Sequence, residues 1–216
     1  MTSANRADRA RIESRLDIAR RGAELLGRKR RVLEDDLEQL RLASDLQREE
    51  FEAAAREADF WLARAAAIDG AEGIARSAAP PTARAELEWR VIMGVRVPAE
   101  VEAVLPEVRA VSGSSALVFA ARAHRAAAEA AVRHAASEEA VRRIAAELLT
   151  TRQRERAVTH RWMPRLEASL ADLRRRLDDL EFEETLQVRW ASGQNGIVLT
   201  RRGTSEDVGA PARVPS

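Results

Sequence analysis

Few side chains here are arranged to do chemistry. The imidazoles are His124, His134 and His160; none stands in H-x-x-x-H spacing and none belongs to a carboxylate-rich motif, so no metal site is expected. They read instead as solvated helix residues. Cysteine is absent, which removes disulfides, thiolate nucleophiles and cysteine-based zinc sites. The sole lysine, Lys29, lies in Gly27-Arg28-Lys29-Arg30 with no G-x-x-x-x-G-K-[ST] loop around it; in the middle of a helix no glycine-rich cradle for phosphate can form. The pairs Asp35-Asp36, Asp178-Asp179 and Glu183-Glu184 are interspersed with arginines, the pattern of a solvated, salt-bridged helix face. No serine has the setting of a nucleophile elbow. The expectation is a chain with no catalytic residues, no cofactor and no metal.

What remains is charge. The whole chain is nearly balanced, 36 basic against 35 acidic side chains. Residues 1–31 nevertheless hold ten basic and four acidic groups. Arg20, Arg21, Arg28 and Arg30 stand out there as a group that could meet an acidic protein surface, with Arg174-Arg175-Arg176 brought near by helix pairing. Nucleic acid is disfavoured, because no aromatic interleaving or known binding motif accompanies the arginines.

The elements that position these residues are helices. Alanine, glutamate, lysine, leucine and arginine together exceed the roughly half of a composition that marks coiled coils. Alternating steps of four and three from Ile12 run through Leu16, Ala19, Ala23, Leu26, Arg30, Leu33, Leu37, Leu40, Ser44, Gln47, Phe51, Ala54, Ala58, Trp61, Ala65 and Ile68. This is the period of a coiled coil, and it predicts a helix over 5–69, stopped by Asp69, Gly70 and Gly73. A second helix is predicted over 114–190, starting where a serine of Ser112-Gly113-Ser114-Ser115 can cap the free amides. Its cleanest heptads are Leu166, Leu170, Leu173, Leu177 and Leu180. Two four-residue steps between Trp162 and Leu170 make a stutter around Pro164, where the helix is expected to bend without ending.

Mutual burial of the two stripes predicts an antiparallel helical hairpin. Matching leucine to leucine sets Leu40 against Trp162, Leu33 against Leu170 and Leu26 against Leu177, with Gly22 allowing a close approach near Leu180. Residues 70–113 form the middle region. There Glu86 to Met93 and Val95 to Pro98 flank Gly94 as a short β-hairpin or bent strand pair, and residues 99–111 read as a third extended piece or a helical turn. Residues 191–216 read as a disordered tail. The fold class is thus dominated by α-helix, a long two-helix coiled coil with a small hairpin-containing middle. No run approaches the ~18 apolar residues that span a membrane, and no apolar N-terminal stretch suggests a signal peptide, which places the chain in the cytosol.

Three stretches resemble one family. Arg15-Leu16-Asp17-Ile18-Ala19-Arg20-Arg21-Gly22-Ala23-Glu24-Leu25-Leu26-Gly27-Arg28-Lys29-Arg30 is similar to the opening R-L-x-x-A-x-x-G-x-x-L-L-x-x-K-R run of the D-subunit of V-type and A-type rotary ATPases. Ile92-Met93-Gly94-Val95-Arg96-Val97-Pro98 resembles that family's M-G-V-x-V-P segment, and Trp162-Met163-Pro164-Arg165-Leu166-Glu167-Ala168-Ser169-Leu170 its I-P-R-L-E-x-x-L run. Their order and spacing fit over about residues 10–190. The end of the second helix matches only loosely, and the tail from Ala191 looks unrelated.

The resemblance implies a central rotor stalk, with ATP made or hydrolysed elsewhere. Its partners would be the A- and B-type subunits of the catalytic head, a small F-type stalk subunit and the C/d-type socket on the membrane ring. It would bind no nucleotide directly and lie peripherally on the cytoplasmic side of the membrane. Under this reading Arg20, Arg21, Arg28 and Arg30 meet the head, and Trp89, Met93, Gly94, Val95, Arg96 and Pro98 meet the small stalk subunit. The other reading of the same periodicity is a generic coiled-coil adaptor or tether.

Overall fold

The computed structural model describes residues 2–77, 83–106 and 113–202, with side chains from residue 7 to 190. The element order is helix α1 (Thr2–Ser77), strands β1 (Arg84–Ile92) and β2 (Val95–Val104), helix α2 (Ser115–Ala157), a π-helical turn (Val158–Trp162) and helix α3 (Met163–Arg202). The chain forms two compact units, Gly22–Ala157 and Met1–Arg21 with Val158–Ser216.

The stripe from Ile12 to Ile68 is the inward face of α1. Of its seventeen positions only Ile68 is exposed. The helix does not stop at Asp69. Gly70 adopts φ 67°, ψ 177°, a non-helical conformation cheap only for glycine, and the helix kinks there and resumes to Ser77. The Asp69 carboxylate accepts hydrogen bonds from the Ser114 backbone N–H, at 3.0 Å, and from the Ser114 hydroxyl. The serine expected to cap α2 with its side chain thus spends its hydroxyl on α1, while its carbonyl takes the Leu117 N–H at 3.1 Å.

Within the unit Gly22–Ala157, α2 runs back along α1. From the Asp69–Ser114 latch onward the packing is built largely of alanine. Ala65 buries with Ala116, Leu117 and Ala120, and Ala58 with Ala123 and Ala127. Further along, Ser137 donates to Ser44 at 3.3 Å, and Leu33 and Leu37 pack with Ala140, Ile144 and Leu148. This corrects the register expected from matching leucines. Leu33 meets Ile144 and Leu148, roughly twenty residues earlier in the chain than the leucine opposite which the sequence reading sets it. A Cβ at Gly22 would meet nothing within 4 Å. At Gly27 a Cβ would lie 3.2 Å from Glu155 Oε1, a tight approach of α2 to α1.

The hairpin lies on this helical pair. Met93 (φ 47°) and Gly94 (φ 86°) make the two-residue turn, both with the positive φ of a type I′ turn, whose twist suits β-strands. Ile92 pairs with Val95 and Trp89 with Pro98, and β2 carries an extra residue before Leu87 pairs with Val101. This bulge lets Pro98, which has no N–H to give, sit inside a strand. Residues 99–104 belong to β2, so the third piece expected there is a continuation of the hairpin. Val97 is fully buried against Leu33, Leu37, Ile144 and Leu148, with Ile92 and Val95 beside it. Burying such residues stabilises by about 1.5–3 kcal/mol each, which a lone two-stranded element needs.

In the other unit α3 runs antiparallel to the first part of α1. Leu16 and Ala19 are buried on α1, and Leu170 and Leu177 on α3. Glu13 bonds Arg174 at 3.1 Å and Arg20 bonds Glu167 at 3.4 Å. No loop residue separates α2 from α3. The Pro164 ring would strike the carbonyl four residues back, that of His160. The wider π turn over Val158–Trp162 moves that carbonyl away, so the helix passes the proline. It continues to Arg202, past the Trp190 end expected from sequence. The remainder of the expected tail, 203–216, lies outside the described residues.

Candidate functional site

The sequence-selected arginines have different fates. Arg20 faces Glu167 and lies 3.9 Å from Asp17. Arg21 donates to the carbonyl of Asp17 at 3.4 Å. Arg30 donates to Glu155 at 2.8 Å and Glu34 at 2.9 Å. Both carboxylates raise its already high pKa, Glu34 most strongly. Arg152 completes the cluster with a 2.7 Å bond to Glu34. Arg152 first, and then Arg30, holds the Glu34 carboxyl below its ordinary range. Lys29 sits beside this cluster, 2.5 Å from Glu147, which the ammonium likewise holds low. Lys29 and Arg30 therefore brace α1 to α2. Arg21 and Arg28 are exposed and form no ion pair among the described residues.

The hairpin residues also divide. Two guanidinium groups lie over the Trp89 ring, Arg96 at 4.8 Å and Arg143 at 5.0 Å from its centre. Arg143 donates to the Arg96 carbonyl at 3.1 Å and to Glu139 at 2.7 Å. The Glu139 carboxyl is held low, first by Arg143 and then by Arg142. Trp89 keeps 38% of its surface exposed and Met93 46%. Val95 is half-buried and packs against the helices, and Pro98 is buried. Trp89, Met93, Gly94 and Arg96 therefore form the outward surface of the hairpin, while Val95 and Pro98 fix it in place.

Sequence reasoning missed two features. Arg143 belongs to the Trp89 surface, though it lies 47 residues from Arg96; no linear pattern joins them. A second surface gathers Phe60, Trp61 and Phe119. Trp61 stacks on Phe119 at 4.6 Å, Phe60 meets Trp61 edge-on at 5.5 Å, and Arg64 lies 4.4 Å over Phe60. Phe60 and Phe119 are 52% and 44% exposed. Among the described residues no aromatic side chain is buried. Aromatics and arginine at a surface are the composition of protein interfaces.

His134 is not solvated as expected. It is half-buried, stacked on Phe51 at 6.1 Å and 3.7 Å from Glu138. His124 and His160 are exposed. Among the described residues no group of three histidine or acidic side chains could hold a metal ion, and no helix is long and apolar enough to cross a membrane.

A surface of arginine–aromatic patches on braced helices has the character of a protein-contact module. A sequence model of one protein family, the ATP synthase D-subunit, matches residues 9–193, through both units and the hairpin. No curated protein sequence matches the chain.

Proposed function

The chain belongs to the ATP synthase D-subunit family, and on that premise we propose that it is the central-stalk rotor subunit of a V- or A-type rotary ATPase. It couples ATP hydrolysis or synthesis in the catalytic head to translocation of protons, or of sodium, through the membrane ring. The subunit itself is not catalytic. The family match carries the reading because it takes in the three stretches whose residues resemble the V- and A-type protein, 15–30, 92–98 and 162–170. The helices add physical support. A shaft that transmits torque must resist shear between its helices, and the Lys29–Glu147, Arg30–Glu155 and Glu34–Arg152 pairs cross from α1 to α2 at that duty.

In this assignment the partners are the A- and B-type head subunits, the small F-type stalk subunit and the C/d-type socket subunit, and the chain works peripherally on the cytoplasmic side of the membrane. Trp89, Met93, Gly94 and Arg96 offer the small stalk subunit its docking surface. Deleting residues 89–98 should abolish that pairwise complex; a complex that survives would assign the contact to the helices. The rotor reading is tested by pull-down of the tagged chain from native membranes, with mass spectrometry of what comes with it. Co-purification of both large head subunits and a small stalk subunit is expected. Recovery of the chain alone, from membranes that contain an assembled rotary ATPase, would overturn the assignment.

A further inference from the structure

Among the described residues of the unit made of Met1–Arg21 and Val158–Ser216, two of the grooves between its helices differ in charge. One, about 500 Å³, is lined by Arg20 and Arg174 with Glu13, Asp17 and Glu167. Its charges are satisfied across the helices by the Glu13–Arg174 and Arg20–Glu167 pairs. The other, about 410 Å³, has Ile12 and Leu173 in its lining, with Arg11, Arg15 and Arg176 against Asp8 and Asp172. No ion pair crosses it among the described residues. Asp8 is engaged by Arg11, 3.7 Å away on the same helix, and Asp172 by its neighbour Arg175. Arg15, on α1, and Arg176, on α3, are exposed and carry no carboxylate partner among the described residues.

We propose that this second groove is a docking surface for an acidic segment of a partner protein, one carrying an apolar residue beside its carboxylates. Charge complementarity names the occupant. Two guanidinium groups, held from opposite helices beside the Ile12 and Leu173 side chains, present forked donors that suit carboxylates, and the apolar residues offer contact area that steering alone lacks. The opposite groove cannot compete, because its arginines are already paired and its net charge is negative. The helix pair therefore shows an acidic partner one attractive face and one indifferent face. The inference rests on the rotor reading for the partner's identity, the catalytic head. Within that reading it moves the contact from Arg20 and Arg30, which are committed internally, to Arg15 and Arg176.

The test is association of the full chain with the reconstituted head of the same source, followed by surface plasmon resonance at about 50 and 300 mM salt. R15E/R176E is compared with R48E/R56E, which makes the same charge change at arginines paired only with Asp45 and Glu52 on their own helix. R15Q/R176Q serves if the reversal fails to fold by circular dichroism. Reversal at Arg15 and Arg176 should slow association about tenfold or more at low salt and flatten its salt dependence, against less than about twofold for the control. Equal effects in the two variants would overturn the groove while leaving the rotor assignment standing. Failure of the unaltered chain to bind the head at any salt would overturn both.

Discussion

Replacing Ser44 and Ser137 by cysteine should staple α1 to α2 through a single disulfide. The hydroxyls are 3.3 Å apart, so sulfurs in their places need only small rotations about χ1 to reach bonding distance. The chain has no other cysteine to compete. The bridge would close a loop of 93 residues. In the chain-entropy account such a loop contributes about 4.6 kcal/mol, and engineered bridges deliver part of that; a gain of at least about 2 kcal/mol is expected. The assay is urea unfolding by circular dichroism, run oxidised and again with reductant, with free thiols counted beforehand. The leucine-matched register makes a different claim. It sets Ser44 opposite Val158, roughly 31 Å further along the helix at 1.5 Å per residue. Failure of the Ser44–Ser137 pair to bridge within one chain, or ready bridging of Ser44→Cys with Val158→Cys, would refute the packing described above.

Other outcomes follow from the same structure. Ile144→Ala removes a fully buried side chain from the cluster that holds both helices and the hairpin and should cost about 2–5 kcal/mol in urea unfolding; a cost under about 1 kcal/mol would argue against that cluster. Arg143→Met removes one of the two guanidinium groups over Trp89 and the bond to the Arg96 carbonyl. Amide exchange in residues 84–104 should then quicken about fivefold, matching a loss of about 1 kcal/mol, with α2 unaffected. Acid should act through Glu13, Glu34, Glu139 and Glu147, held low chiefly by Arg9, Arg152, Arg143 and Lys29 respectively. Because their folded pKa values lie below the ordinary carboxylate value of 4.5, the unfolded chain binds protons first as pH falls. Stability should hold above about pH 5 and decline as pH drops through 4.5 and below. Glu147→Gln should make that decline shallower, as read from unfolding midpoints across pH.

Much of this fold is legible because α1 repeats one pattern over many turns. A stripe with a 3.5-residue step can only be the buried face of a helix in a coil, and even its polar members find uses: Arg30 in the ion cluster, Ser44 on Ser137. The Met93-Gly94 turn and the helix running through Pro164 are also readable, the first from flanking β-branched residues and the second from leucines resuming at once. The register is not. Leucine is the obvious marker of contact in a sequence, yet long stretches of the α1–α2 interface are carried by alanine, which does not announce a partner. One feature that fixes the register is the Asp69–Ser114 latch, and the Gly70 beside it reads in sequence as a stop. The surface arginines are legible as a basic cluster, but which of them are spent internally depends on carboxylates more than a hundred residues away, as with Arg30 and Glu155. The Trp89–Arg143 pairing is hidden for the same reason.

The alanine layers carry a consequence for how the chain finds this arrangement. Ala116, Ala120, Ala123, Ala127 and Ala130 line α2 at near-equal intervals, opposite Ala58 and Ala65. Sliding one helix past the other by two turns would trade alanine contacts for alanine contacts at little cost, so these layers alone leave the pairing nearly degenerate. The correct alignment is singled out by the few features that do not repeat: the aspartate captured at Ser114, the Trp61–Phe119 stack, the serine pair and the lone lysine on Glu147. Each acts as an index mark on an otherwise uniform scale. A chain stripped of two such marks should still form its helices, yet populate slipped pairings as kinetic traps that only slow separation and re-zipping can correct.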